Sequence, residues 1–211
     1  MVMDTPDHRR VDPAAEVLAA GSVLFRVHSH RFGPADYNPG RPPASPVTRF
    51  AFFGSPPVPV LYAAATAEAA ISETILHDVP IEGGRIDVDL VQSKILSPVL
   101  STRDLRLLCL HGHGFRRIGA VAEQVTRTPP SRYAETVPWA AAAHAGGFDG
   151  IVWMSRRHDT SKAYVFSTAP GGPGDFAAHP DPTRVRAFAF PKDLDWLTRL
   201  LAPLNVVITG P

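Results

Sequence analysis

Polar and apolar positions alternate along "LFRVHSHRF". Arg26, His28 and His30 fall on one side of an extended chain, and Phe25, Val27 and Ser29 on the other. A strand is predicted over 22–28. The apolar run "VLYAA" at 60–64 reads as a second, buried strand. Behind it "TAEAAISETILHD" shifts to a helical spacing over 67–77, with Thr66 as N-cap, Glu68 in the first turn and Pro80 as the stop. Alternation at Ile86, Val88 and Leu90 predicts one or two strands within 84–100. Residues 101–110 read as a short helix or strand, and "HGHG" as a turn.

Helices are predicted over 117–125 and 135–145, and buried strands at "FDGIVWM" (148–154) and at 163–167. An edge strand follows at 185–190. An amphipathic helix runs over 192–201, with Pro191 near its start. At the front, residues 1–12 read as a mobile leader leading into a short helix over 13–20, which Gly21 ends. Two stretches have no periodicity: the Pro-, Gly- and Asn-rich segment 30–48 and "APGGPGDFAAHPDPT". Segment 30–48 is long for a connection inside a compact domain, which marks it as a functional or mobile loop.

The expected architecture is α+β: a single mixed domain over 21–211 with a central, largely antiparallel β core and flanking helices. No internal repeat and no domain boundary is visible. The 22 prolines in 211 residues fit many loops and exclude a helical bundle. A net charge of +1 gives no global argument for nucleic acid or an anionic membrane, while leaving room for a local basic pocket. The single cysteine, Cys109, permits no internal disulfide and suits a reducing cytoplasm. The N-terminal stretch does not read as a signal peptide, and no apolar run is long enough to span a bilayer.

Several residues carry candidate chemistry. Glu73 sits among small and apolar helix neighbours, with Ala69 and Ala70 one turn before it and Leu76 and His77 one turn after. It reads either as a solvated carboxylate or as one aimed at a site. Arg26 and Arg49 each interrupt an apolar run. They read as arginines snorkelling at strand ends, or as a pair gripping a diphosphate or carboxylate through forked hydrogen bonds. Ser155 follows a buried strand directly, where α/β sites place polar groups, yet no G-x-S-x-G surrounds it. The pairs His28/His30 and His111/His113 have ligand chemistry for zinc or iron, but no carboxylate stands at a recognisable spacing, so no metal is expected. P-loop and dinucleotide glycine signatures are absent.

In order, "LFRVH", "TRFAFFG", "VLYAAATAEAAISET", "GFDGIVWMSRR" and "AYVFS" resemble the RES domain, the toxin half of a class of bacterial toxin–antitoxin pairs. The resemblance runs from about Val23 to Ser167, and the arginine, glutamate and serine that name the family fall at Arg26, Glu73 and Ser155. It implies a fold similar to ADP-ribosyltransferases and cleavage of the nicotinamide–ribose bond of NAD, with water or inorganic phosphate as acceptor. Arg26, Glu73 and Ser155 would be catalytic; Arg49, Phe50 and Tyr62 would bind substrate. No cofactor is implied beyond NAD as substrate and phosphate as co-substrate. The implied partner is a small antitoxin, in a homo- or hetero-oligomer. Other readings on the same fold are a non-catalytic NAD- or ADP-ribose-binding protein and an ADP-ribosyltransferase. The chain departs from the family pattern around the second arginine, where Thr48-Arg49-Phe50-Ala51 replaces Gly-Arg-Phe/Trp-Asn.

Overall fold

The structure is a computed structural model that describes residues 12–40, 48–168 and 174–210. The expected leader lies largely outside these residues. The helix expected over 13–20 is not formed: Ala15–Leu18 is a strand, β1. So short a helix is marginal without packing. Here the backbone instead pairs antiparallel with Leu105–Leu108, an arrangement that also buries Leu18.

The next elements follow the sequence pattern closely: strand β2 (Val23–Ser29), strand β3 (Val60–Ala64) and helix α1 (Ala67–Thr74). Region 84–100 is more broken than its alternation suggests. It forms strand β4 (Gly84–Asp87), a one-turn helix α2 (Val88–Gln92) and strand β5 (Lys94–Ser101). The Asp87 side chain accepts from the Asp89 N–H and so starts the helix that takes Val88 and Leu90 out of the strand. Strand β6 (Leu105–Leu110) settles the helix-or-strand alternative. The helix expected over 117–125 is split into α3 (Gly114–Arg117) and α4 (Ala122–Val125), with Gly119 at φ +67° between them. Helix α5 (Val137–Ala145), strands β7 (Gly150–Met154) and β8 (Lys162–Ser167), short strands β9 (Phe176–Ala178) and β10 (Arg186–Ala187), helix α6 (Pro191–Leu201) and strand β11 (Val206–Thr209) complete the order.

Among the described residues the main sheet runs β1-β6-β7-β8-β3-β2-β5-β10, with β9 added on β5, and β4 pairs separately with β11. Most neighbours are antiparallel. The β6–β7 pair is parallel, and its crossover carries α3, α4 and α5, as a parallel connection requires. Gly150 is needed where β7 meets β8, because a Cβ there would lie 2.2 Å from the Val165 carbonyl oxygen. Trp139, Ala140 and Ala143 of α5 pack on Ile151, Trp153 and Val165. Ala69 and Ile71 of α1, with Leu197 and Leu201 of α6, pack on Ala64 and Leu96. The result is a mixed α/β domain with a large, largely antiparallel sheet and flanking helices.

One irregularity shapes the site. Strand β2 pairs with β5 over seven residues but with β3 only at Phe25↔Ala64. The two strands part beyond that pair, and the opening between them becomes a cleft.

Candidate functional site

The cleft has a volume of about 570 Å³, and Arg26, Arg49, Tyr62 and Glu73 all line it. A pocket of this size suits a small-molecule ligand. It brings to one place residues of β2, β3, α1 and the turn after the proline-rich loop.

Glu73 reaches the cleft because α1 lies close on the sheet. Thr66 caps the helix by accepting from the Ala69 N–H at 3.2 Å. Ala69 and Ala70, at 0% and 3% exposure, keep its inner face flat. The carboxylate is then fixed from below. The Ser155 hydroxyl donates to Glu73 Oε1 over 2.6 Å, while accepting from the backbone N–H groups of Arg157 at 3.2 Å and His158 at 3.0 Å. A serine hydroxyl has one proton and two lone pairs. All three are committed, so Ser155 has no capacity left for a ribose or phosphate. It is 1% exposed and does not line the cleft. Its one proton goes to Glu73. Glu73 Oε2 makes no hydrogen bond among the described residues.

Arg26 is 7% exposed, and its Nη1 donates to the carbonyls of Pro34 (2.8 Å) and Asp36 (2.7 Å). The strand arginine thereby anchors the start of the proline-rich loop. Its Nε is buried with no hydrogen-bond partner among the described residues. Burial pushes the guanidinium down to about 10, against the favourable field of Asp36. It stays charged at neutral pH.

Arg49 is held from the opposite wall. Its Nη1 donates to the Thr128 carbonyl (3.0 Å) and hydroxyl (2.8 Å), its Nη2 to the Tyr133 hydroxyl (3.3 Å), and its guanidinium lies 4.8 Å from the Tyr133 ring centroid. Burial lowers its pKa, and the Tyr133 and Glu73 fields oppose that shift. Tyr62 supports the same turn, because its hydroxyl bonds Thr48 Oγ1 at 3.0 Å and accepts from the Phe50 N–H at 3.2 Å. Thr48 and Ala51 close the turn through paired backbone hydrogen bonds. The altered residues flanking Arg49 thus still form a defined turn that presents it.

Phe50 is placed differently from the expectation. Its ring is fully buried, edge-on to Trp153 at 5.2 Å between centroids, and it does not line the cleft. It belongs to the core beneath the site, which corrects its reading as a substrate contact. Among the histidines, His28 bonds Ser97 Oγ (2.9 Å) and the Ser29 carbonyl (3.0 Å), and burial, then Arg26, lowers its pKa. His111 Nε2 lies 2.9 Å from Glu16 Oε2, whose other oxygen accepts from Lys162 at 2.7 Å. Cys109 brings its sulfur within 4.8 Å of that pair's ligand atoms.

Sequence reasoning missed Tyr133 and Thr128, which grip Arg49, and gave His77 no role. His77 and Tyr133 both line the cleft. The four-residue step from Glu73 to His77 was the available signal, because a helix expected over 67–77 would put both on one face; α1 in fact ends at Thr74, and His77 reaches the cleft from the turn that follows. Tyr133 and Thr128 sit among prolines with no periodicity to flag them.

The family model for the RES domain matches residues 23–193. The fold is similar to a chain of the crystal structure of the M. tuberculosis MbcT–MbcA toxin–antitoxin complex, the MbcT toxin, with a TM-score of 0.53 and 13% sequence identity over 77% of this chain and 84% of that one. No curated protein matches the chain by sequence.

Proposed function

The chain belongs to the RES-domain family, and from that premise we propose that it is a toxin-like enzyme that cleaves the nicotinamide–ribose bond of NAD. The observation that carries the reading is a carboxylate, Glu73, locked by a buried serine in a cleft that also holds two buried arginines. When the C1′–N1 bond breaks, its electron pair leaves with neutral nicotinamide and positive charge develops on the ribose. A carboxylate already held in place stabilises that charge without having to reorganise. Arg26 and Arg49 supply the forked cationic donors that suit the diphosphate. An oxygen of water or phosphate then bonds to C1′.

On this reading the enzyme works in the cytoplasm, where it would deplete the NAD pool. No described helix is long and apolar enough to cross a membrane. The fold it shares with a protein solved in complex with an antitoxin supports a small antitoxin as partner. The test is incubation of purified protein with NAD, with and without inorganic phosphate, following products by mass. Free nicotinamide with ADP-ribose, or with its phosphate ester, supports the reading.

A second reading draws on the arginines themselves. Each already spends part of its donors on the protein, Arg26 on Pro34 and Asp36 and Arg49 on Thr128 and Tyr133. A non-catalytic binder of NAD or ADP-ribose would show calorimetric binding with no product in either buffer.

A further inference from the structure

Behind Arg49 the cleft wall continues as a chain of hydrogen bonds to solvent. Arg49 Nη2 lies 3.3 Å from the Tyr133 oxygen, that oxygen 2.6 Å from His77 Nε2, and His77 Nδ1 2.7 Å from Asp78 Oδ1. The donors can be assigned. The Asp78 side chain is 86% exposed, and an ionised carboxylate only accepts, so Nδ1 carries the imidazole proton. In the neutral ring Nε2 is then the acceptor, and Tyr133 donates to it. Every proton in the chain therefore points away from the cleft: Arg49 to Tyr133, Tyr133 to His77, His77 to Asp78. A hydroxyl paired with an imidazole that a carboxylate orients is the arrangement enzymes use to move a proton. Tyr133 is 4% exposed and lines the same cleft as Glu73, the group proposed to meet the ribose.

We propose that Tyr133 and His77 form the path that removes the proton of the acceptor, and that the site is built for an acceptor with a proton to lose, water or another hydroxyl. This rests on the NAD-cleaving reading. As the C1′–N1 bond breaks and nicotinamide leaves with its electron pair, the water oxygen bonds to C1′. The water proton passes to the Tyr133 oxygen while the phenolic proton passes to His77 Nε2. The ring then returns the proton to solvent at its exposed end, so hydrolysis releases one proton overall. An acceptor that is already an unprotonated anion, such as azide, makes its bond to C1′ without using this path.

The experiment compares wild type, Tyr133→Phe and His77→Gln with water alone and with added azide, following ADP-ribose, ADP-ribosyl azide and nicotinamide by mass. Tyr133→Phe keeps the ring over Arg49, and His77→Gln keeps a hydrogen-bonding side chain, so both folds are checked by their melting temperatures. The expected result is a loss of ADP-ribose formation on the order of 10²-fold in both variants, with ADP-ribosyl azide formation lowered far less than hydrolysis in each, the larger of the two small losses falling on Tyr133→Phe because it also gives up a hydrogen bond to Arg49. Equal losses with both acceptors, or no loss with either, overturn the proposal while leaving NAD cleavage intact. So does a wild type that makes the azide product and no ADP-ribose. A wild type that releases no nicotinamide with either acceptor overturns the NAD-cleaving reading, and this path with it.

Discussion

Ser155 and Glu73 lie 82 positions apart and meet through a 2.6 Å hydrogen bond in which the serine donates. The serine is left no other use, because the Arg157 and His158 N–H groups take its lone pairs. Ser155→Ala is expected to leave those two half-buried donors without their partner. A loss of about 1–3 kcal/mol in chemical denaturation follows. Nicotinamide release is expected to fall as well, because the carboxylate loses its fixed position. Unchanged turnover in a folded Ser155→Ala protein would show that Glu73 needs no anchor.

Arg26 ties the proline-rich loop to the sheet and lines the cleft from a buried position. Arg26→Lys keeps the charge but cannot hold both carbonyls through one nitrogen, as Nη1 does, while offering further guanidinium donors to a ligand. It is expected to lose calorimetric binding of ADP-ribose and to speed hydrogen exchange in the loop at Gly33 and Asp36. Wild-type affinity in Arg26→Lys would limit the residue to a structural role.

Tyr62 reaches the Arg49 turn through two bonds of its hydroxyl, to Thr48 Oγ1 and from the Phe50 N–H. Tyr62→Phe removes both and is expected to cost about 1–2 kcal/mol at roughly 1 kcal/mol per bond. If the hydroxyl acts by placing Arg49, KM rises more than kcat falls. A variant with kcat lowered and KM unchanged would assign the hydroxyl to the chemical step.

All four tyrosines of the chain are buried enough to resist ionisation. Burial pushes Tyr62 and Tyr164 up to about 12, and raises Tyr37 and Tyr133 as well. An acid whose folded pKa is raised keeps its proton longer when folded. Above about 10, where an unfolded tyrosine ionises, the unfolded chain binds fewer protons and stability falls as pH rises. The stabilising contribution is intact below pH 10 and is lost on the way to about 12. An ultraviolet titration is expected to show little tyrosinate at pH 10 in the folded protein and full ionisation once it unfolds. Four tyrosines titrating near 10 in folded protein would contradict the buried placement.

The strands that carry the site were legible because their patterns are unambiguous. Val23–Ser29 alternates, and Gly150–Met154 is almost wholly apolar. Helix α1 was legible from Thr66 and the alanines behind it. Arg26, Arg49 and Glu73 stood out as charges in apolar settings, and the cleft contains all three. Ala15–Leu18 was not legible, because its helix-favouring residues are overruled by a pairing partner some ninety positions away. Phe50 misled for a related reason. Beside a cleft arginine it looks like a ligand contact, and only the packing of Trp153 reveals that its ring points into the core. Tyr133 and Thr128 matter solely through contacts of long sequence separation, which no local pattern encodes.

On the proposed function Glu73, held by Ser155, drives cleavage of the nicotinamide–ribose bond. That role is tested most directly by measuring nicotinamide released from NAD by the wild type and by Glu73→Gln, which keeps the shape and the hydrogen bond from Ser155 while removing the charge. Steady release is expected from the wild type and a fall of at least about 10²-fold in the variant, the scale on which losing a preorganised electrostatic group acts, with the melting temperature little changed. Full release by a folded Glu73→Gln protein, or none from the wild type, would contradict that role.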